Sequence, residues 1–157
     1  MEINNNLQLE KKILKHFLNI KSLGKKYILD IIERANLYHS GEVNSNYSQK
    51  VIASLFFEPS TRTKTTFELA AKKLGAEFIN IDISSSSTSK GESVLDMVKT
   101  IEAMDCNMFI VRHSVSGTAH HIANSVSKKI PIINAGDGTN EHPTQAMLDM
   151  YTINTHK

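Results

Sequence analysis

The chain alternates short apolar runs with stretches whose apolar residues recur every three to four positions. The runs 51–57, 78–83, 108–111 and 130–133 are apolar along most of their length, which is typical of strands buried on both faces. The stretches between them have the spacing of helices. Strands that alternate with helices imply right-handed crossovers and a parallel sheet. We therefore predict an α/β fold, a parallel sheet of about four strands with helices on both faces in three layers.

Helix and strand boundaries follow from the same patterns. Apolar stripes within residues 13–18 and 28–35 predict two amphipathic helices before the first strand. Gly75, which adopts positive φ easily, suits the position just after a helix end. Pro131 cannot donate to a sheet ladder and is expected at a strand start. A last helix is expected to begin near Pro143.

Composition restricts the class of protein. A chain of 157 residues with 40% hydrophobic and 22% charged residues fits one globular domain. Its net charge of +2 is too small and too dispersed for a nucleic-acid or membrane partner. The single Cys106 excludes an internal disulfide framework and fits a reducing compartment. Because the sequence shows neither a leader pattern nor an apolar run of ~18 residues, we expect a cytoplasmic protein, neither exported nor anchored.

Chemistry is expected at one edge of the sheet, because open parallel sheets bind ligands at the carboxyl ends of their strands. The residues that follow the predicted strands are rich in cations, hydroxyls and glycines: Ser60, Thr61, Arg62 and Thr63 after the first, Lys90 after the second, Arg112 and His113 after the third, and Gly136, Gly138, His142 and Gln145 after the fourth. Such groups favour an anion as the ligand.

The segment 60–63 has two interpretations. A helix N-terminus carries unpaired backbone N–H groups, which a Ser or Thr hydroxyl can cap and an anion can bind. Arg62 and Lys64 stand at the positive end of the helix dipole, where acidic residues are favoured. An anion removes that conflict, and the planar guanidinium of Arg62 can hold two phosphate oxygens at once. We therefore favour a phosphate site over a simple helix cap.

The other candidates are weaker on residue type alone. Residues 84–89 fit a flexible linker or a helix cap. Arg112 at a strand end is either a surface charge or a ligand. His142 either starts a helix or shares a ligand with Gln145, which lies three residues further on and roughly on the same face.

Metal and nucleotide motifs are not found. His120 and His121 are adjacent and face apart on a helix, so a zinc site is not expected. The glycines form neither a dinucleotide fingerprint nor a P-loop. We predict no metal and no cofactor.

Four ordered segments together resemble the aspartate carbamoyltransferases. They are Phe57-Glu58-Pro59-Ser60-Thr61-Arg62-Thr63, Lys90-Gly91-Glu92, Arg112, and the run 136–145 with Gly-Asp-Gly at its start and His-Pro-Thr-Gln at its end. Ornithine carbamoyltransferases share the Ser-Thr-Arg-Thr and His-Pro-Thr-Gln elements. Glu58-Pro59 and the run 136–140 are similar to the aspartate branch, which we favour.

The resemblance implies transfer of the carbamoyl group of carbamoyl phosphate to the α-amine of L-aspartate, an early step of pyrimidine biosynthesis. The products are N-carbamoyl-L-aspartate and phosphate, and the family uses no metal or organic cofactor. The resemblance also implies roles for the matching residues: Ser60, Thr61, Arg62 and Thr63 hold phosphate, Arg112 bridges phosphate and carbonyl oxygen, Thr63 and His142 polarise that oxygen, and Gln145 holds the carbamoyl NH₂.

The resemblance also implies an assembly. Ser86 and Lys90 would reach the site of a neighbouring subunit in a homotrimer, and whether a regulatory chain binds is left open. Residues 1–145 would form the carbamoyl-phosphate domain, and 146–157 would begin the helix that leads to an aspartate-binding domain beyond Lys157. Aspartate would bind only through that domain, so we expect the chain alone to be inactive. A stand-alone anion-binding or assembly module is the alternative.

Overall fold

The computed structural model describes residues 15–81, 83, 93–127 and 129–157. This part of the chain forms five helices and four strands. In chain order they are α1 Gly24–Ser40, β1 Val51–Phe56, α2 Thr61–Lys73, β2 Glu77–Ile81, α3 Val94–Ala103, β3 Met108–His113, α4 Thr118–Ser125, β4 Ile132–Asp137 and α5 Pro143–His156.

The four strands form one sheet in the order β2-β1-β3-β4, and every neighbouring pair is parallel. Leu55 in β1 lies opposite Ile81 on one side and Val111 on the other. Pro131 directly precedes β4, where its carbonyl accepts the Phe109 N–H at 3.1 Å and no N–H is required of it. The predicted α/β architecture is confirmed.

One face of the sheet carries the main core. Its side chains come from the strands and from α3 and α4, and they include Ala53, Leu55, Phe109, Val111, Met97, Val98, Ala119, Ile122 and Ile132. Leu55, Phe109 and Ile132 are fully buried. Because side chains alternate along a strand, Ile52 and Ile110 point to the opposite face.

The opposite face is covered by the other three helices. α2 lies beside Ile52 and Ile110, with which its Phe67 and Ala71 line a common cavity. α1 and α5 pack against each other through a second cluster that contains Ile32 and Met147. The sheet is therefore covered on both sides, which gives the three predicted layers.

The predicted helix within residues 13–18 is wrong for Phe17 and Leu18, while Ile13 and Leu14 lie outside the described residues. Phe17 instead pairs in parallel with Ile133 at the edge of β4. Its N–H donates to the Ile132 carbonyl at 2.8 Å. Phe17 then packs with the α1/α5 cluster and Leu18 with the main core, so the two apolar neighbours serve opposite faces.

No helix in the described ranges is long and apolar enough to cross a membrane.

The main core predicts a large difference between two leucine substitutions. Leu55→Ala removes a fully buried side chain and leaves a cavity, so the free energy of unfolding should fall by ~2–5 kcal/mol. Leu69→Ala, at a leucine that is 54% exposed on α2, should change it by less than about 0.5 kcal/mol. Urea unfolding of both variants measures the difference, and equal losses would contradict this assignment of the core.

Candidate functional site

The strand order fixes where a ligand crevice opens. From β1 the chain crosses to β2 on one side and later returns to β3 on the other, so the topology reverses between β1 and β3. Ligands of open parallel sheets bind outside the carboxyl ends of the strands at such a point. Phe56 at the end of β1 lies opposite Arg112 near the end of β3. The segment 60–63 and Arg112 therefore follow adjacent strand ends, and β4 brings the run 136–145 to the same edge.

The first turn of α2 provides uncompensated donors. Ser60 occupies the N-cap position, yet its side chain makes no capping hydrogen bond. The first turn contains no acidic residue, whereas Arg62 and Lys64 lie in it. The backbone N–H groups of a first turn have no partner within the helix. This end of α2 therefore presents donors and positive charge, and the cap interpretation of Ser60 is not supported.

Arg112 is held by two neighbours. Its Nη1 donates to the Ala135 carbonyl of β4 at 3.0 Å, and its Nη2 lies 2.9 Å from Oε1 of Glu58. Its Nε is buried and has no hydrogen-bond partner among the described residues. The guanidinium is thus fixed between β4 and the turn that precedes α2, and these two contacts use two of its five N–H donors. Glu58 had marked the family resemblance only, and its pairing with Arg112 was not predicted.

Gly136 makes room for Arg112. It has φ +135°, and a Cβ there would overlap Nη1 of Arg112 and lie 3.0 Å from its Cζ. Its N–H donates to Oδ1 of the fully buried Asn134 at 2.9 Å, and the Asn134 amide donates to the Leu18 carbonyl at 2.9 Å. Asn134 therefore anchors the backbone at Gly136, against which the guanidinium of Arg112 lies.

His142 is arranged to donate a hydrogen bond from its Nε2 atom. It is the N-cap of α5, and its Nδ1 accepts the backbone N–H of Gln145 at 3.3 Å. Burial lowers the pKa of His142, and the nearby positive charge of Arg112 lowers it further. The ring is therefore neutral at pH 7, and because Nδ1 accepts, we assign its proton to Nε2. A neutral Nε2–H can donate to an oxygen that gains negative charge.

The side chain of one predicted site residue is engaged elsewhere, and two other predicted site residues lie outside the described residues. The side-chain amide of Gln145 donates to Oδ1 of Asp149 at 2.9 Å, one turn further along α5, and the residue is exposed. Ser86 and Lys90 lie outside the described residues. A contribution of Ser86 or Lys90 to this edge stays a prediction.

His113 and Asp137 also lie at this edge. The ring of His113 stands 4.6 Å from that of Phe57, and its Nδ1 accepts the Val115 N–H at 2.8 Å. Burial lowers the pKa of His113, opposed by the charges of Glu58 and Asp137. Asp137 is 1% exposed, and sequence reasoning had not singled it out.

A cavity of about 1040 Å³ lies away from this edge. It is found near the amino ends of the strands, beside Lys50, Asn107 and Pro131. None of the predicted site residues lines it. We place the site at the carboxyl edge, because the donors and cations converge there. Within the described ranges, no cluster of three or more His, Cys, Asp or Glu side chains could hold a metal ion.

Fold and edge together define a three-layer α/β domain whose cations and free donors share the carboxyl ends of its strands. Residues 15–155 match the family described as aspartate/ornithine carbamoyltransferase, carbamoyl-P binding domain. The chain belongs to this family, which confirms the resemblance found in the sequence.

Solved structures of aspartate transcarbamoylases are similar to the chain. The Trypanosoma cruzi enzyme in complex with carbamoyl aspartate and phosphate is 30% identical, with a TM-score of 0.81 over 90% of this chain and 46% of that one. The complex of that enzyme with carbamoyl phosphate is also 30% identical, with a TM-score of 0.80 over 90% of this chain and 44% of that one. The catalytic subunit of M. jannaschii aspartate transcarbamoylase in an orthorhombic crystal form is 40% identical, with a TM-score of 0.76 over 89% of this chain and 46% of that one. The chain spans less than half the length of these proteins.

The contact between Gly136 and Arg112 predicts a loss of anion binding. Gly136→Ala should displace the guanidinium and weaken binding of inorganic phosphate about tenfold or more, since a charged hydrogen bond contributes ~1.5–3 kcal/mol. Gly41→Ala is the matched control, because Gly41 also has positive φ but has nothing within 4 Å of an added Cβ. Calorimetric titration measures both affinities. Unchanged affinity in Gly136→Ala would show that Arg112 does not contact the anion.

Proposed function

We propose that this chain is the carbamoyl-phosphate-binding half of an aspartate carbamoyltransferase. The observation that carries the proposal is the uncapped, acid-free N-terminus of α2 beside Arg112, at the point where the strand order reverses. The family match and the aspartate transcarbamoylase structures support the same conclusion.

The phosphate group would bind at the start of α2. The hydroxyls of Ser60, Thr61 and Thr63 and the first-turn N–H groups offer hydrogen bonds, and the helix dipole favours the negative charge. Arg62 is exposed there, and its fork can hold two oxygens of the phosphate. Binding would also relieve the repulsion between this cation and the helix terminus.

The carbamoyl group would extend from that phosphate toward β3 and β4. The amine of aspartate attacks the carbonyl carbon, the new C–N bond forms, and the carbonyl oxygen becomes negative. Thr63, Arg112 and the Nε2–H of His142 would stabilise that oxygen, and one preorganised donor of this kind contributes ~2.7–4 kcal/mol. The C–O bond to phosphate then breaks, phosphate leaves with the electron pair, and it takes up the proton that the amine loses. Gln145 would hold the carbamoyl NH₂ after exchanging its contact with Asp149.

The rest of the enzyme is proposed by resemblance. L-Aspartate would bind through a second domain of the enzyme, and the carbamoyl-phosphate domain by itself would not catalyse the transfer. Ser86 and Lys90 would complete a neighbour's site in a homotrimer. Glu58-Pro59 and the run 136–140 favour aspartate over ornithine as the acceptor. The reaction would belong to cytoplasmic pyrimidine biosynthesis.

Arg62 provides the direct test. Arg62→Ala should weaken binding of inorganic phosphate to the chain more than tenfold, because a charged hydrogen-bond partner is lost. Arg34→Ala on α1 removes the same exposed side chain and the same charge, and should leave the affinity unchanged. Titration calorimetry compares the two. Equal affinities in both variants would place the anion elsewhere and remove the basis of the proposal.

Glu58 should compete with the anion for Arg112. The ion pair is partly exposed, with side-chain accessibilities of 22% for Arg112 and 30% for Glu58, and such pairs contribute ~0–1 kcal/mol. Glu58→Gln should therefore raise phosphate affinity by up to about fivefold. Glu68→Gln, an exposed glutamate of α2, controls for the change in net charge. An equal gain in phosphate affinity in both variants would mean that only the change in net charge matters, and would contradict competition between Glu58 and the anion.

A further inference from the structure

Asp137 is a buried carboxylate whose partners are uncharged. It ends β4, is 1% exposed, and makes no ion pair within the described residues. Its Oδ1 accepts the Gly117 N–H at 2.8 Å, and its Oδ2 accepts the side-chain amide of Asn140 at 3.0 Å. A buried charge is retained only where its hydrogen bonds are satisfied. Both oxygens of Asp137 therefore have a structural task.

The backbone of Asp137 joins the same two turns. Its carbonyl accepts the hydroxyl of Ser116 at 3.1 Å and the N–H of Asn140 at 2.9 Å, and its N–H donates to the Glu141 carbonyl at 3.1 Å. Ser116 and Gly117 belong to the turn after β3, whereas Asn140 and Glu141 lead into α5. One residue thus holds both turns through side chain and backbone.

The two turns also touch without intervening side chains. Gly138 N–H donates to the His113 carbonyl at 2.8 Å, and a Cβ on Gly138 would lie 2.5 Å from the Ser114 carbonyl oxygen. The first turn follows the end of β3, one residue after Arg112, and the second ends at His142. These contacts between the two turns form a junction, which sets the distance between the end of β3 and the start of α5.

We propose that Asp137 is a positioning residue, which sets Arg112 and His142 relative to each other by tying the turn after β3 to the turn before α5. The proposal rests on the proposed function, since these two residues are two of its three carbonyl-oxygen donors. Asp137 touches no substrate and acts through the two turns.

The chemistry of the junction explains why the residue is Asp and not Asn. Gly117 and Asn140 both present donors, so the residue between them must accept at both oxygens. Asn at position 137 would turn an NH₂ toward one of those donors. Exchanging the two residues, Asp137→Asn with Asn140→Asp, restores one acceptor for Gly117 and a donor–acceptor pair at the other contact, with the same net charge.

The experiment compares Asp137→Asn with the exchanged double variant on the same chain. Two quantities are measured: the affinity for inorganic phosphate by calorimetry and the titration of the His142 ring by NMR. In Asp137→Asn we expect a five- to tenfold loss of affinity and a His142 pKa that moves back toward its ordinary value, because Arg112 and its charge shift away. In the double variant both quantities should return to those of the parent chain.

Each result decides the question. An unchanged His142 titration in Asp137→Asn would overturn the proposal, and so would a double variant that recovers neither quantity. If Asp137→Asn does not fold, Asn140→Ala removes only the contact to Oδ2 and should give a smaller shift of the His142 pKa in the same direction; no shift there would overturn the proposal. A parent chain that binds no phosphate would defeat the proposed function, while the His142 titration would still decide the role of Asp137.

Discussion

The parallel pairing of β1 with β3 is the contact on which the site depends. It places Phe56 opposite Arg112. It also creates the point between β1 and β3 at which the strand order reverses. The pairing is fixed because Leu55 and Val111 are both fully buried on the main-core face; a slip of one residue would turn one of the two to the opposite face. The register that builds the core therefore also brings the start of α2 next to Arg112.

The site edge is electrostatically unfavourable as it stands. Arg62 and Lys64 lie at the positive end of α2, the first turn has no acid, and Ser60 does not cap it. Such an arrangement lowers stability relative to an acid-capped helix, by roughly 0.3–1 kcal/mol for each misplaced charge. In the proposed function, an anion that binds only the folded chain would offset this loss through its binding free energy. A local conflict of this kind marks a functional site more reliably than residue type alone.

The same logic explains which features the sequence could reveal. Apolar runs predict the four strands, and Pro131 predicts a strand start, because both depend on local chemistry. Phe17 and Leu18 fit a helical stripe as well as a strand, and only the free edge of β4 decides between them. Gln145 satisfies its amide locally, on Asp149 one turn away. Asp137 was missed because one of its donors is the backbone N–H of Gly117, which side-chain patterns do not reveal.

Arg112 shows how the edge can exchange one anion for another. Its Nη1 donates to a backbone carbonyl and its Nη2 to Glu58, while the buried Nε–H has no partner within the described residues. Because Nη1 and Nη2 each carry a second N–H, a ligand can use a free donor or displace the carboxylate. The Glu58 pair is partly exposed and contributes ~0–1 kcal/mol, whereas charged hydrogen bonds to a phosphate contribute ~1.5–3 kcal/mol. In the proposed function, exchange of Glu58 for phosphate would therefore be favourable. Because Nη1 would keep its contact with the Ala135 carbonyl when Glu58 leaves, the guanidinium would stay anchored to β4 in the space that Gly136 leaves free.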